Sequence, residues 1–142
     1  MLNIGIKAPD FAAPDQNNKI QRLSDYQGQW VLIYFYPKDD TPGCTAEACA
    51  LRDKYAEFDK IKAVVLGVSA DSVKSHVKFA DKYSLPFPLI ADEDKKIIKA
   101  YGAGGLFHRI SYLIDPLGNI AKVYDKVKPA AHATEVLSDL VK

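Results

Sequence analysis

The stretch Trp30-Val31-Leu32-Ile33-Tyr34-Phe35-Tyr36-Pro37-Lys38-Asp39-Asp40-Thr41-Pro42-Gly43-Cys44 reads as a strand, a loop and the start of a helix. Trp30 to Tyr36 is a continuous apolar, aromatic and β-branched run of strand length. Such a run suits a central strand buried on both faces. Tyr34, Phe35 and Tyr36 are expected in the core and in the wall of any pocket beside it. Pro37 ends the strand, and Lys38 to Gly43 form a loop. From Cys44 to about Lys60 the apolar residues Ala48, Leu51, Tyr55 and Phe58 recur at helical spacing. A cysteine is thereby placed at the C-terminal end of a central strand and at the start of a helix, where open α/β sheets put their ligand sites.

Working outward, the N-terminal segment reads as two short strands near residues 11–14 and 19–23, with Asn17-Asn18 at a hairpin tip. Downstream, Ala63 to Ser69 is a second buried strand. Asp71 or Ser72 can cap the next helix, whose apolar face is read as Val73, Val77, Ala80 and Tyr83, with His76 facing solvent. Pro86 and Pro88 bracket a link into Leu89-Ile90, and Asp92 or Asp94 can cap a short helix reaching about Tyr101. Residues 110–115 and 120–124 flank Pro116-Leu117-Gly118-Asn119, a β-hairpin with a turn-forming tip. Residues 131–141 read as a final amphipathic helix. Strands alternating with helices and ending in a hairpin imply an α/β fold, a central mixed sheet flanked by helices. With its N-terminal β-hairpin this pattern is compatible with a thioredoxin-like layout.

The 142 residues suggest one domain over 1–142 and can bury a core without metal or disulfide staples. Hydrophobic residues make up 48% and charged ones 26%, with a net charge of +1 and the two signs interspersed. That balance points neither to nucleic acid nor to a membrane surface. No stretch approaches the ~20 apolar residues of a membrane-spanning helix. The N-terminus lacks the basic and apolar regions of a secretory signal, so the expected location is cytoplasmic.

The two cysteines, Cys44 and Cys49, lie five residues apart. A disulfide closing so short a step would constrain the unfolded chain very little. A close pair in a chain without a secretory signal is more often reactive or metal-binding than structural. A helix N-terminus offers unpaired N–H groups and partial positive charge, both of which favour thiolate over thiol. Thr41, three residues before Cys44, brings a hydroxyl within reach of the sulfur. In an intact helix the Cα atoms of Cys44 and Cys49 sit roughly 8.6 Å apart with side chains about 140° apart. A disulfide needs Cα atoms within about 7 Å. If the pair is catalytic, the first turns of the helix must therefore unwind in each cycle.

Pro37-x-x-x-Thr41-x-x-Cys44 matches the peroxiredoxin signature, and the longer string from Phe35 to Cys49 resembles its bacterioferritin-comigratory, or Q-type, branch. The resemblance extends along the chain through Ala8-Pro9-Asp10-Phe11, Leu66 to Asp71 and Arg109 to Asp115. It implies a thioredoxin-like fold and a thiol peroxidase. Cys44 would be the peroxidatic cysteine, oxidised to a sulfenic acid, and Cys49 the resolving cysteine that condenses with it. Thr41 would hydrogen-bond the peroxide, Arg109 would stabilise the thiolate and the developing negative charge, and Pro37 would shield the sulfur. Glu47 would orient Arg109 through a charge-assisted hydrogen bond. The substrates implied are hydrogen peroxide and organic hydroperoxides, and the reductant is thioredoxin or a similar dithiol protein. Neither cofactor nor metal is implied, and a monomer is expected. The chain departs from many relatives in the short, glycine-rich run Gly102 to His108 and in Ser111 and Tyr112, which stand where Thr and Phe are frequent.

Other readings compete. Either cysteine can be plain core packing. Pro37 and Thr41 can simply end a strand and shape a turn. Arg109 can serve a surface ion pair, and a first-turn Glu47 favours the helix dipole in any case. The separations of His76, His108 and His132 from the cysteines match no zinc-site spacing. His108 is expected on a surface loop. A protein thiol–disulfide oxidoreductase usually carries Cys-x-x-Cys, which is absent. A redox-regulated or chaperone-like module would oxidise without turning over.

Overall fold

The computed structural model describes residues 1–105 and 109–141. A two-stranded antiparallel hairpin comes first, β1 (Ala12–Pro14) with β2 (Ile20–Arg22). Its turn is closed by the Asp15 carboxylate, which accepts from the Asn17 and Lys19 amides, with Asn18 at positive φ. A turn of 3₁₀ helix, Leu23–Tyr26, follows and takes up Leu23, which the sequence places at the end of the second strand.

The main sheet has the order β5-β4-β3-β6-β7. Its centre is β3 (Val31–Phe35), all five residues buried. β4 (Val64–Ser69) runs parallel beside it and β5 (Leu89–Ala91) parallel beside β4. On the other side β6 (Ser111–Ile114) runs antiparallel to β3 and forms a hairpin with β7 (Ile120–Tyr124). The expected mixed α/β sheet with a central Trp30–Tyr36 strand is what the chain builds.

Alternation along β3 separates two cores. Leu32, Tyr34 and Tyr36 face α1 (Pro42–Asp53), α2 (Tyr55–Lys60), α3 (Val73–Tyr83) and α5 (His132–Leu140). Val31, Ile33 and Phe35 face α4 (Lys96–Ala100), Tyr101, Tyr112 and Leu23. Gly67 on β4 has no side chain because a Cβ there would meet the Tyr34 ring at 2.9 Å.

Three local readings change. The helix expected from Cys44 to Lys60 starts at Pro42, as a proline at the first helical position allows, and it breaks at Lys54 into α1 and α2. On α3 the buried residues are His76, Phe79 and Ala80, while Val77 is exposed. His76, expected at the surface, is fully buried. The two β-branched valines had drawn the stripe one position off, because hydropathy gives histidine no claim on the core. Ser72 is the N-cap of α3, accepting from the Ser75 amide, and Asp92 holds the start of α4 by accepting from the Ile97 and Ile98 amides.

Candidate active site

After Phe35 the chain leaves the sheet through Tyr36, whose amide still donates to Val68 O at 3.2 Å. The Phe35 amide donates to Ile110 O at 2.8 Å. That bond sets the residue before Ile110, Arg109, alongside the loop that follows β3. Thr41 ends the loop in extended conformation as the N-cap of α1. The first intrahelical bond runs from Thr45 N–H to Thr41 O at 2.8 Å, so Gly43 and Cys44 supply the free-donor turn of the helix. Cys44 is the third residue of α1, and its sulfur lies where the helix dipole is most positive.

Cys44, Glu47, Ala48 and Leu51 form one buried stripe on α1 at helical spacing. The stripe puts a carboxylate one turn below the sulfur, and Arg109 joins the two. Its Nη1 donates to Glu47 Oε1 at 2.8 Å and its Nη2 to Cys44 Sγ at 3.4 Å. Gly43 makes room for this: a Cβ there would lie 2.9 Å from Arg109 Nη2. Three residues singled out in the sequence, Cys44, Glu47 and Arg109, thus meet at one point, with a glycine as spacer.

The electrostatics are set by burial. The Glu47 side chain is 0% exposed and that of Arg109 17%. Burial pushes the Glu47 carboxyl up to about 7, although the charge and hydrogen bond of Arg109 pull it down. Its Oε2 has no hydrogen-bond partner among the described residues. Burial also pulls Arg109 down, but Cys44 and Glu47 more than offset this and hold the guanidinium above the ordinary arginine value. Of the pair, the carboxyl is the member that gives way, since it has lost water on both oxygens.

Thr41 donates its hydroxyl proton to Lys38 O at 2.9 Å, leaving its oxygen to accept from a ligand. Pro37 is exposed at the mouth of the loop. Cys44 and Cys49 are both free thiols on the unbroken α1, Cys44 buried and Cys49 half-buried. The expected separation on one helix is therefore present.

A second buried group on this loop escaped the sequence reading. Asp39 accepts from Tyr36 Oη at 2.6 Å and Ser75 Oγ at 2.8 Å, and meets His76 Nδ1 at 2.6 Å. Its own amide donates to Asp71 Oδ2 at 2.9 Å, which also accepts from Ser69 Oγ. Among the described residues, Asp39, Asp71 and His76 are the one cluster whose ligand atoms could converge on a cation. Hydroxyl and amide donors already fill those oxygens. His132, the other described candidate for zinc, lies against Ser111 Oγ at 2.8 Å and Glu135 at 3.2 Å. His108 is outside the described residues.

The AhpC/TSA family model matches residues 4–123. Peroxiredoxin Bcp of Bacillus subtilis is 40% identical over 98% of this chain and 95% of its own length. Peroxiredoxin Bcp of Escherichia coli K12 is 43% identical over 96% and 94%. Among solved structures, the Xanthomonas campestris bacterioferritin comigratory protein, studied for its alkyl peroxide reduction, superposes with a TM-score of 0.90 at 35% identity, covering 98% of each chain. Peroxidoxin BcpB of Mycobacterium tuberculosis does so with a TM-score of 0.91 at 32% identity, covering 99% of this chain and 97% of its own. A cysteine held by an arginine at the head of α1 and full-length similarity of this order lead to one conclusion: the chain belongs to the AhpC/TSA family, among the peroxiredoxins of the Bcp and Q type.

Proposed function

We propose that Cys44 is the nucleophile of this thiol peroxidase and Cys49 its resolving partner. The observation that carries the reading is the bridge from Glu47 through Arg109 to Cys44 Sγ. The thiolate attacks the distal oxygen of a hydroperoxide; the O–O bond breaks, and the alkoxide or hydroxide takes a proton and leaves as alcohol or water. Cys44 is then a sulfenic acid. Arg109 is aimed at the sulfur and so at the negative charge shared by the reacting atoms. The Thr41 oxygen is open to accept from the peroxide O–H, and Pro37 limits the approach.

The thiol of Cys49 next displaces water from the sulfenic sulfur, forming a disulfide. With both residues on α1, the helix must open between them first. A dithiol protein of the thioredoxin kind then reduces the bond, and both hydrogen peroxide and organic hydroperoxides serve as oxidants. The reading includes a single domain working as a cytoplasmic monomer without nucleic acid or membrane. Among the described residues no helix is long and apolar enough to cross a membrane.

Intact-mass analysis of the peroxide-treated chain tests it. The wild type is expected to lose two hydrogens, Cys44→Ser to stay unreacted, and Cys49→Ser to gain one oxygen and stop until a small thiol is added. Undiminished thioredoxin-coupled turnover in Cys49→Ser would overturn the two-cysteine scheme.

A further inference from the structure

His76 is fully buried, and both its ring nitrogens are engaged. Nε2 lies 3.0 Å from Ile90 O, an atom that can only accept, so Nε2 carries a proton. Nδ1 lies 2.6 Å from Asp39 Oδ2, and this contact is a hydrogen bond only with a proton between the two. The pair therefore holds one shared proton and, as a unit, no net charge. Every other group facing it is a donor or is itself satisfied. Tyr36 Oη and Ser75 Oγ donate to Asp39, and Asp71 is held by Ser69 Oγ and the Asp39 amide.

The position of this cluster matters more than its composition. Asp39 sits between Pro37 and Thr41, on the loop that delivers Cys44. Through it the loop is fastened to Tyr36 just after β3, to Asp71 just after β4, to α3 and, by way of His76, to β5. We propose that the Asp39–His76 pair is a clasp that holds the loop in its peroxide-ready arrangement, so that both are positioning residues for the oxidation of Cys44. The inference rests on the reading of Cys44 given above. The same clasp opposes the unwinding that Cys49 needs, because releasing Asp39 frees the segment leading into α1. Breaking it therefore moves the two chemical steps in opposite directions.

Rapid-quench intact-mass kinetics on the full chain separates those steps as a gain of one oxygen followed by closure of the disulfide. His76→Leu is expected to slow the oxidation of Cys44 by about tenfold, the scale of a misplaced reacting group, and to speed closure. His76→Asn sets an amide N–H near the place of Nδ1 and should bring oxidation back to within about threefold of the wild type. Asp39→Ala/His76→Leu removes both partners and leaves no unpaired buried charge, so its melting temperature should recover. Its oxidation rate should stay low. The clasp is overturned if the double variant matches the wild type in both steps, or if the variants slow both steps in parallel with their lost stability, or if they change neither. A wild type whose Cys44 gains no oxygen would instead overturn the peroxidase reading itself.

Discussion

Two buried polar groups flank the loop between Tyr36 and Cys44, and they are built on opposite plans. On the side of β6, Glu47 and Arg109 share one hydrogen bond, one carboxylate oxygen has no partner among the described residues, and the guanidinium still reaches the sulfur. On the side of α3, Asp39 takes two hydroxyl donors and the His76 ring, and His76 donates its other nitrogen to the Ile90 carbonyl. The first group keeps spare hydrogen-bonding capacity and a perturbed carboxyl; the second spends all of its capacity on holding backbone in place. Incomplete satisfaction of buried polar atoms is costly in a fold, so it persists where chemistry uses it. Complete satisfaction is the mark of scaffolding.

The contrast can be broken most directly at Arg109. Arg109→Lys keeps a charge but cannot bridge Glu47 and Cys44 at once. Stopped-flow oxidation of Cys44 should slow by roughly 100-fold, the size of one lost charge-stabilising donor, with little loss of thermal stability. A rate within a factor of two of the wild type would deny Arg109 its place in the chemistry.

Glu47→Gln sharpens the comparison through pH. The unfolded carboxyl titrates near 4.5 and the folded one at about 7. Between these values the native state binds the extra proton, so its contribution is fully present below 4.5 and lost as pH rises through 7. From pH about 5 to about 8 the wild type should lose up to ~3 kcal/mol that the Gln variant does not lose. Urea unfolding at both pH values checks it; identical slopes would mean that Arg109 keeps the carboxylate ionised throughout.

Gly43→Ala asks whether the approach of Arg109 is as close as it looks. The added Cβ would sit 2.9 Å from Nη2, so Arg109 must withdraw, and oxidation should fall about tenfold without loss of fold. An unchanged rate would show that the guanidinium has room to move. The smallest effect belongs to Lys82→Ala. Its pair with Asp40 is on the same loop but in solvent, with side chains 58% and 42% exposed. Neither the melting temperature nor the oxidation rate should change measurably. A clear loss would mean that the loop is held from outside as well as from within.

Much of this could be read in the chain. The apolar run into Pro37 marked the central strand because burial on both faces demands unbroken hydrophobicity. The cysteine at a strand end and helix start followed from it. Glu47 was named only through the family resemblance; its place on a buried stripe with Cys44, Ala48 and Leu51, where a charged residue must meet a partner, came from the structure. His76 was not legible. A histidine beside two valines looks like the polar side of a helix, and only the loop that folds over α3 makes it core.

The sequence by itself determined the order of elements, the central strand and the nucleophile's place at a helix start, because these follow from local periodicity and from the backbone demands of proline and glycine. Arg109, 65 residues along the chain, was tied to Cys44 by the family resemblance and not by any local pattern, and tertiary structure alone decided the geometry of that contact and that Asp39 meets His76. Those contacts depend on which strands pair and in what register, a long-range outcome that hydropathy along the chain does not encode.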